Sequence, residues 1–140
     1  MTRWTSTQYN AYTNGFASEH DLQSHCVDWF RSHYPKFARL LFAIPNGADL
    51  GGKDRIARAK NWNRLKQEGA VTGAADLLLA VPSGQLAGLF IEMKTPKGRQ
   101  SDDQKRFEAD VISVGYGYAM PRSFDEFTGV IRRYFDTGEY

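Results

Sequence analysis

The stretch from Gly73 to Lys94, GAADLLLAVPSGQLAGLFIEMK, sets the strongest constraint on what this chain can fold into. Two short apolar runs flank a Pro82-Ser83-Gly84 cluster, the composition of a turn that joins two β-strands. Side chains alternate faces along a strand, so Glu92 and Lys94 project to the same side. Folding the second run back on the first brings Asp76 opposite Glu92, within about two residues because the turn leaves the register open. Directly opposed residues have Cβ atoms roughly 5 Å apart. Two carboxylates and one ammonium in that volume are costly unless a cation or an ion pair compensates them.

The chain has 140 residues, 41% of them hydrophobic, which suits one domain with a buried core. The single cysteine, Cys26, excludes an intramolecular disulfide and a four-cysteine zinc module. It fits a reducing, intracellular and hence cytoplasmic setting. No apolar stretch approaches the roughly 18 residues of a membrane helix, and the polar start MTRWTSTQYNAYTNG is not a signal peptide. Neither secretion nor a membrane partner is expected. The net charge of +2 does not announce a nucleic-acid binder, so the distribution of charge carries more information.

Residues 1–17 are polar and aromatic without a period, and read as an irregular arm, a candidate for packing on another subunit. One domain then occupies 18–140. Leu22, Cys26, Trp29 and Phe30 follow helical spacing to about His33, with Ser18 as N-cap and Asp21 in the capping-box position. At about 100° per residue Glu19 projects between Cys26 and Phe30, on the apolar stripe. Two readings stand for it: a first-turn Glu favoured by the helix dipole, or an inward charge partner or metal ligand.

Phe37 to Ile44 is an apolar run closed by Pro45, read as a strand. Gly47 to Lys53 then matches the phosphate-loop spacing GxxxxGK, but position 54 is Asp where the motif needs Ser or Thr. A carboxylate there would repel phosphates, so no nucleotide cofactor is expected and a glycine loop is the simpler reading. Lys53 to Glu68 has helical composition, with six basic residues against two acidic. Lys53, Lys60 and Arg64 fall within about 40° of one another on that helix. They form a basic ridge, either a solvated helix face or a phosphate-backbone contact.

After the hairpin, Pro96 ends the strand and Lys97-Gly98-Arg99 makes a basic turn. Ser101-x-x-Gln104 is a capping box opening a helix with Phe107, Val111 and Val114 as its buried stripe. Gln104 lies within about 60° of Phe107, so it can face the acidic pair as well as cap, although capping alone accounts for it. Tyr116 to Met120 reads as a strand, and Ser123-x-x-Glu126 as a full capping box before a helix with Phe124, Phe127, Ile131 and Tyr134 on one face. The order α-β-α-β-β-α-β-α predicts an α/β domain with a mixed sheet flanked by helices.

Asp76, Glu92 and Glu19 offer hard oxygen donors, suited to Mg²⁺ or Mn²⁺ and not to zinc. Two carboxylates can hold a divalent ion against a scissile phosphate. Lys94 could orient or deprotonate a water, or stabilise the pentavalent state. A purely structural Asp76/Glu92/Lys94 ion-pair cluster is the competing reading. No serine sits in a nucleophile-elbow pattern, and Cys26 lies in an apolar stripe.

Asp76, fifteen intervening residues, and then Glu92-Met93-Lys94 resemble the PD-(D/E)xK nuclease signature. With IPNG at 44 to 47, the basic helix, a glycine-led approach to Asp76 over about 72 to 76 and GRxSxxQ at 98 to 104, the chain resembles the VRR-NUC (virus-type replication-repair nuclease) branch, in its small standalone phage and bacterial form. The resemblance implies a restriction-endonuclease-like fold. It implies a divalent cation on Asp76, Glu92 and the Met93 carbonyl, completed by Glu19, with Lys94 catalytic and Gln104 auxiliary. Ala75 stands where that family has Pro. The expected activity is metal-dependent DNA endonuclease action on branched DNA, a Holliday junction or flap, by a homodimer in replication, repair or recombination. Lys53, Arg55, Arg58, Lys60, Arg64, Lys97 and Arg99 are the expected DNA contacts. The alternatives are an inactive DNA-binding module of the same fold and a phosphate-loop NTPase.

Overall fold

The computed structural model describes residues 18–45 and 54–140. The arm at 1–17, the glycine loop Gly47 to Lys53 and the expected DNA contact Lys53 lie outside the described residues. In order, the elements are helix α1 (Glu19–His33), a 3₁₀ turn (Pro35–Leu40), strand β1 (Leu41–Ala43), helix α2 (Arg55–Gln67), strands β2 (Leu77–Leu79) and β3 (Leu89–Ile91), helix α3 (Asp102–Ser113), strand β4 (Gly117–Ala119) and helix α4 (Phe124–Thr137). The mixed α/β order matches the expectation from sequence.

The strands lie in the order β1-β2-β3-β4. The first two pairings are antiparallel and β3 pairs with β4 in parallel, with α3 as the crossover that a parallel pair requires. Helices cover both faces, which is why LLL and LFI are continuously apolar and do not alternate. On one face Leu77, Leu79, Leu89, Ile91 and Met93 pack with Leu22, Cys26 and Phe30 of α1 and with Phe124, Phe127, Ile131 and Tyr134 of α4. On the other, Ala75, Phe90 and Tyr118 pack with Phe107 and Val111 of α3.

Three local expectations are corrected. The first half of the Phe37–Ile44 run is 3₁₀ turn, and strand begins only at Leu41, where pairing with β2 becomes available. Val114 is 69% exposed, because α3 ends at Ser113 and its C-cap leaves the helical phase that would have turned Val114 inward. The α4 capping box is only half formed. Ser123 Oγ accepts from the Glu126 N–H at 3.1 Å, but the Glu126 carboxylate takes the Arg122 N–H at 2.6 Å.

The turn between β2 and β3 is tight at its tip. Ser83 and Leu86 exchange backbone hydrogen bonds of 3.1 and 3.0 Å across Gly84-Gln85, and Gly84 takes a φ of +57° that favours glycine. The tip is tied to α4: Ser83 Oγ donates to the Tyr134 carbonyl, and the Tyr134 hydroxyl donates to the Val81 carbonyl.

Candidate active site

The register Leu77↔Ile91 and Leu79↔Leu89, continued by one residue, sets Asp76 opposite Glu92. Both lie just past the paired segment, where the sheet still holds their backbones from outside. Ile44 N–H donates to the Asp76 carbonyl at 2.8 Å, and Glu92 N–H donates to the Ala119 carbonyl at 2.8 Å. The Met93 N–H then turns to a side chain, donating to Asp76 Oδ2 at 2.8 Å. Strand alternation sends Met93 into the α1/α4 core and Glu92 and Lys94 toward α3.

Glu92 is 2% exposed and Lys94 8%. Groups this polar persist in an interior only when they are partnered. Gln104, the N3 residue of α3, supplies the partnership. Its Oε1 accepts from Lys94 Nζ at 3.0 Å and from the Ser101 N–H at 2.8 Å, while its Nε2 donates to Glu92 Oε1. One side-chain amide thus closes the capping box and joins the acid to the lysine. Among the described residues no buried side-chain nitrogen or oxygen lacks a hydrogen-bond partner.

Burial raises the Glu92 carboxyl to about 9, and the hydrogen bond to Asp76 and the charge of Asp76 push the same way. Lys94 opposes the shift and Glu19 adds to it. Glu19 is itself raised, first by burial and then by Asp76, with Lys94 pulling it down. Glu19 therefore lies within electrostatic reach of the hairpin carboxylates and is half-buried. Cys26 is fully buried, and burial pushes its thiol far up, which removes it as a nucleophile.

Among the described residues no three His, Cys, Asp or Glu side chains are already gathered as a metal cage. The donor set nonetheless fits a hard divalent cation. Asp76 and Glu92 share a hydrogen bond that a cation would replace, and Met93 has its carbonyl in the same segment. Glu19 brings a further carboxylate within electrostatic reach.

The expected DNA contacts fall into two groups. Arg55, Arg58, Lys60 and Arg64 are all exposed on α2, a helix with no buried residue, capped by Asp54 Oδ1 on the Ala57 N–H at 2.8 Å. Leu65 and Glu68 at its C-terminal end line a cavity with Phe90 and Phe107, so that end meets the α3 face of the sheet, where Glu92 also projects. Lys97 and Arg99 are exposed on the loop between β3 and α3.

Two features escaped sequence reasoning. Gln100 Nε2 donates to Glu108 Oε1 at 2.9 Å and to the buried Tyr118 hydroxyl at 3.4 Å, a bridge from that same loop to α3 and β4. Burial raises the Tyr118 hydroxyl, Gln100 lowers it, and Glu92, Glu108 and Asp76 add to the rise. Arg122 inserts its guanidinium under the loop, bonding the carbonyls of Thr95 and Gly98. No local pattern marks either, because the partners are far apart in sequence.

Residues 17–125 match the VRR-NUC domain family. A solved structure described as a VRR-NUC domain protein superposes with a TM-score of 0.71 at 20% identity, over 88% of this chain and 92% of that one. At that identity the likeness shows the fold. No curated protein matches the chain.

Proposed function

The chain belongs to the VRR-NUC domain family, and from that premise we propose that it is a Mg²⁺- or Mn²⁺-dependent endodeoxyribonuclease acting inside the cell on branched DNA. The observation that carries this reading is the Gln104 bridge between Glu92 and Lys94, with Asp76 held opposite by the Met93 N–H. Glu19 supplies a third carboxyl group within electrostatic reach, and burial and mutual repulsion raise both Glu19 and Glu92, the condition a divalent cation would relieve.

Asp76, Glu92 and the Met93 carbonyl would hold the ion, with Glu19 as a fourth donor. When bound, it would supply Lewis-acid stabilisation of the charge that develops on a scissile phosphate. Lys94 sets its Nζ at the same place, aimed by Gln104 so that no reorganisation is needed as charge builds. Gln104 also fixes one Glu92 oxygen, and Met93 N–H fixes one Asp76 oxygen. The exposed cations of α2 and of the Lys97–Arg99 turn position the phosphate backbone without reading bases. A homodimer would present two such sites to a symmetric four-way junction.

The test is incubation of the chain with linear, nicked, flap and four-way DNA, with and without Mg²⁺ or Mn²⁺, beside Asp76→Ala and Glu92→Gln. Metal-dependent cutting that both variants lose supports the reading. Binding without cutting identifies an inactive binding module, and cutting unchanged in both variants removes these residues from the chemistry.

A further inference from the structure

Arg122 sits in the connection between β4 and α4, outside every pattern that marks the site. Its Nη1 donates to the Thr95 carbonyl at 3.0 Å and to that of Gly98, with a weaker approach to Pro96 at 3.5 Å. Its own N–H is held by Glu126 Oε2 at 2.6 Å, and the preceding Pro121 carbonyl accepts from the Lys94 N–H at 3.2 Å. The segment it grips starts at buried Lys94 and ends at Ser101, whose helix carries the Gln104 that holds Lys94. Both ends of the loop are therefore tied to the site, and its middle is tied to Arg122. Gly98 packs closely as well: a Cβ there would lie 3.3 Å from Lys94 Cδ and 3.2 Å from Thr95 Oγ1.

Between those fixed points the loop presents Lys97 and Arg99 to solvent. A flexible loop would have to be ordered each time its cations met a phosphate, and pre-ordering removes that cost. Nη1 carries two N–H groups fixed in the guanidinium plane, one for each of the Thr95 and Gly98 carbonyls, whereas a lysine ammonium ends a shorter stem and rotates freely. We propose that Arg122 is a positioning residue: it holds the Thr95–Gly98 loop so that Lys97 and Arg99 grip the DNA backbone at a set offset from Lys94. This rests on the nuclease reading of the same site.

The test uses the full chain and a labelled four-way junction, with Arg122→Gln, Arg122→Lys, Lys97→Ala/Arg99→Ala and the triple variant. Cleavage gives kcat and KM, and fluorescence anisotropy in a Glu92→Gln background gives Kd against salt. Arg122→Gln is expected to raise KM and Kd about tenfold with kcat little changed, and to lower the slope of log Kd against log salt by about 2, one for each phosphate that Lys97 and Arg99 no longer neutralise. Adding Arg122→Gln to Lys97→Ala/Arg99→Ala is expected to change nothing further, since the cations it positions are gone. Arg122→Lys, which keeps the charge on a shorter and freely rotating ammonium, is expected to show a smaller defect of the same kind, and it carries the test if Arg122→Gln does not fold. An unchanged KM and salt slope, or a defect that adds fully to that of Lys97→Ala/Arg99→Ala, would overturn the proposal. If the wild type binds junction DNA but never cuts it, the nuclease reading falls while the anisotropy series still decides the role of Arg122.

Discussion

Gly73 lies so close against Asp103 that a Cβ at Gly73 would sit 2.4 Å from the Asp103 carbonyl carbon. Its φ of +88° is also one that L side chains rarely adopt. The segment leading to Asp76 is thereby pressed onto the first turn of α3, the turn that carries Gln104. Gly73→Ala is expected to lose about 1–3 kcal/mol through overpacking and backbone strain together. Thermal melting measures this, and metal-dependent cutting should fall with it because the segment carrying Asp76 is pushed off the helix that carries Gln104. A variant with unchanged melting and unchanged cutting would show that the contact is dispensable.

Substitutions at Gln104 separate capping from site assembly. Gln104→Glu keeps a good N3 capping partner for Ser101 but sets a carboxylate against Glu92. It should keep the cap, lose about 1–3 kcal/mol where Glu92 loses its donor, and lose roughly 10²-fold in kcat/KM, the order seen when one preorganised donor is removed. Gln104→Ala should lose both, with about 1 kcal/mol of stability gone through the broken cap. Comparable activity in Gln104→Glu and the wild type would reduce Gln104 to a cap.

Glu92 makes the metal-free protein sensitive to pH. Its folded carboxyl is raised to about 9 from an ordinary 4.5, so the folded chain keeps a proton that the unfolded chain releases. The stabilisation is fully present below pH 4.5 and is lost as pH rises toward 9. Melting temperature without divalent cations should therefore fall across that window, and in Glu92→Gln the fall should flatten. A cation must displace the same proton, so the affinity for Mg²⁺ should rise with pH over the same range and release protons on binding. Calorimetry in two buffers of different ionisation enthalpy reads both quantities.

Helix α2 should contribute binding with almost no stability. It has no buried residue, so Arg58→Ala/Arg64→Ala should shift stability by no more than about 0.5 kcal/mol. Affinity for DNA of any sequence should weaken, with the salt slope reduced by about 1 for each cation that had neutralised a phosphate. Unaltered affinity and slope would mark α2 as a solvated face.

Much of this architecture follows from signals that act over a few residues. The capping serines at 18, 101 and 123, the apolar stripe Leu22-Cys26-Phe30 and the Pro-Ser-Gly turn each depend on neighbours within about one helical or hairpin turn. They are legible because the backbone groups they satisfy are equally near. The pairing of Asp76 with Glu92 is the longest relationship of this kind, readable to within about two residues because a short turn leaves few registers open, and the strand pairing then sets the register.

What only tertiary structure decided is which of the candidate roles each polar residue takes. Glu19 and Gln104 each admitted a bland local reading; packing of α3 bonds Gln104 to Glu92, and packing of α1 leaves Glu19 within electrostatic reach of the pair. Arg122 shows the reverse limit, since the carbonyls it grips lie some two dozen residues earlier and leave no trace in local sequence. Val114 shows that a periodic pattern does not report where its own helix stops. By itself the sequence determined the elements, the hairpin and the identity of the acidic pair, because those rest on short-range hydrogen bonds and apolar spacing. The tertiary structure alone decided the bridge between acid and lysine and the anchoring of the basic loop, because both depend on how separate elements are pressed together by the burial of a shared core.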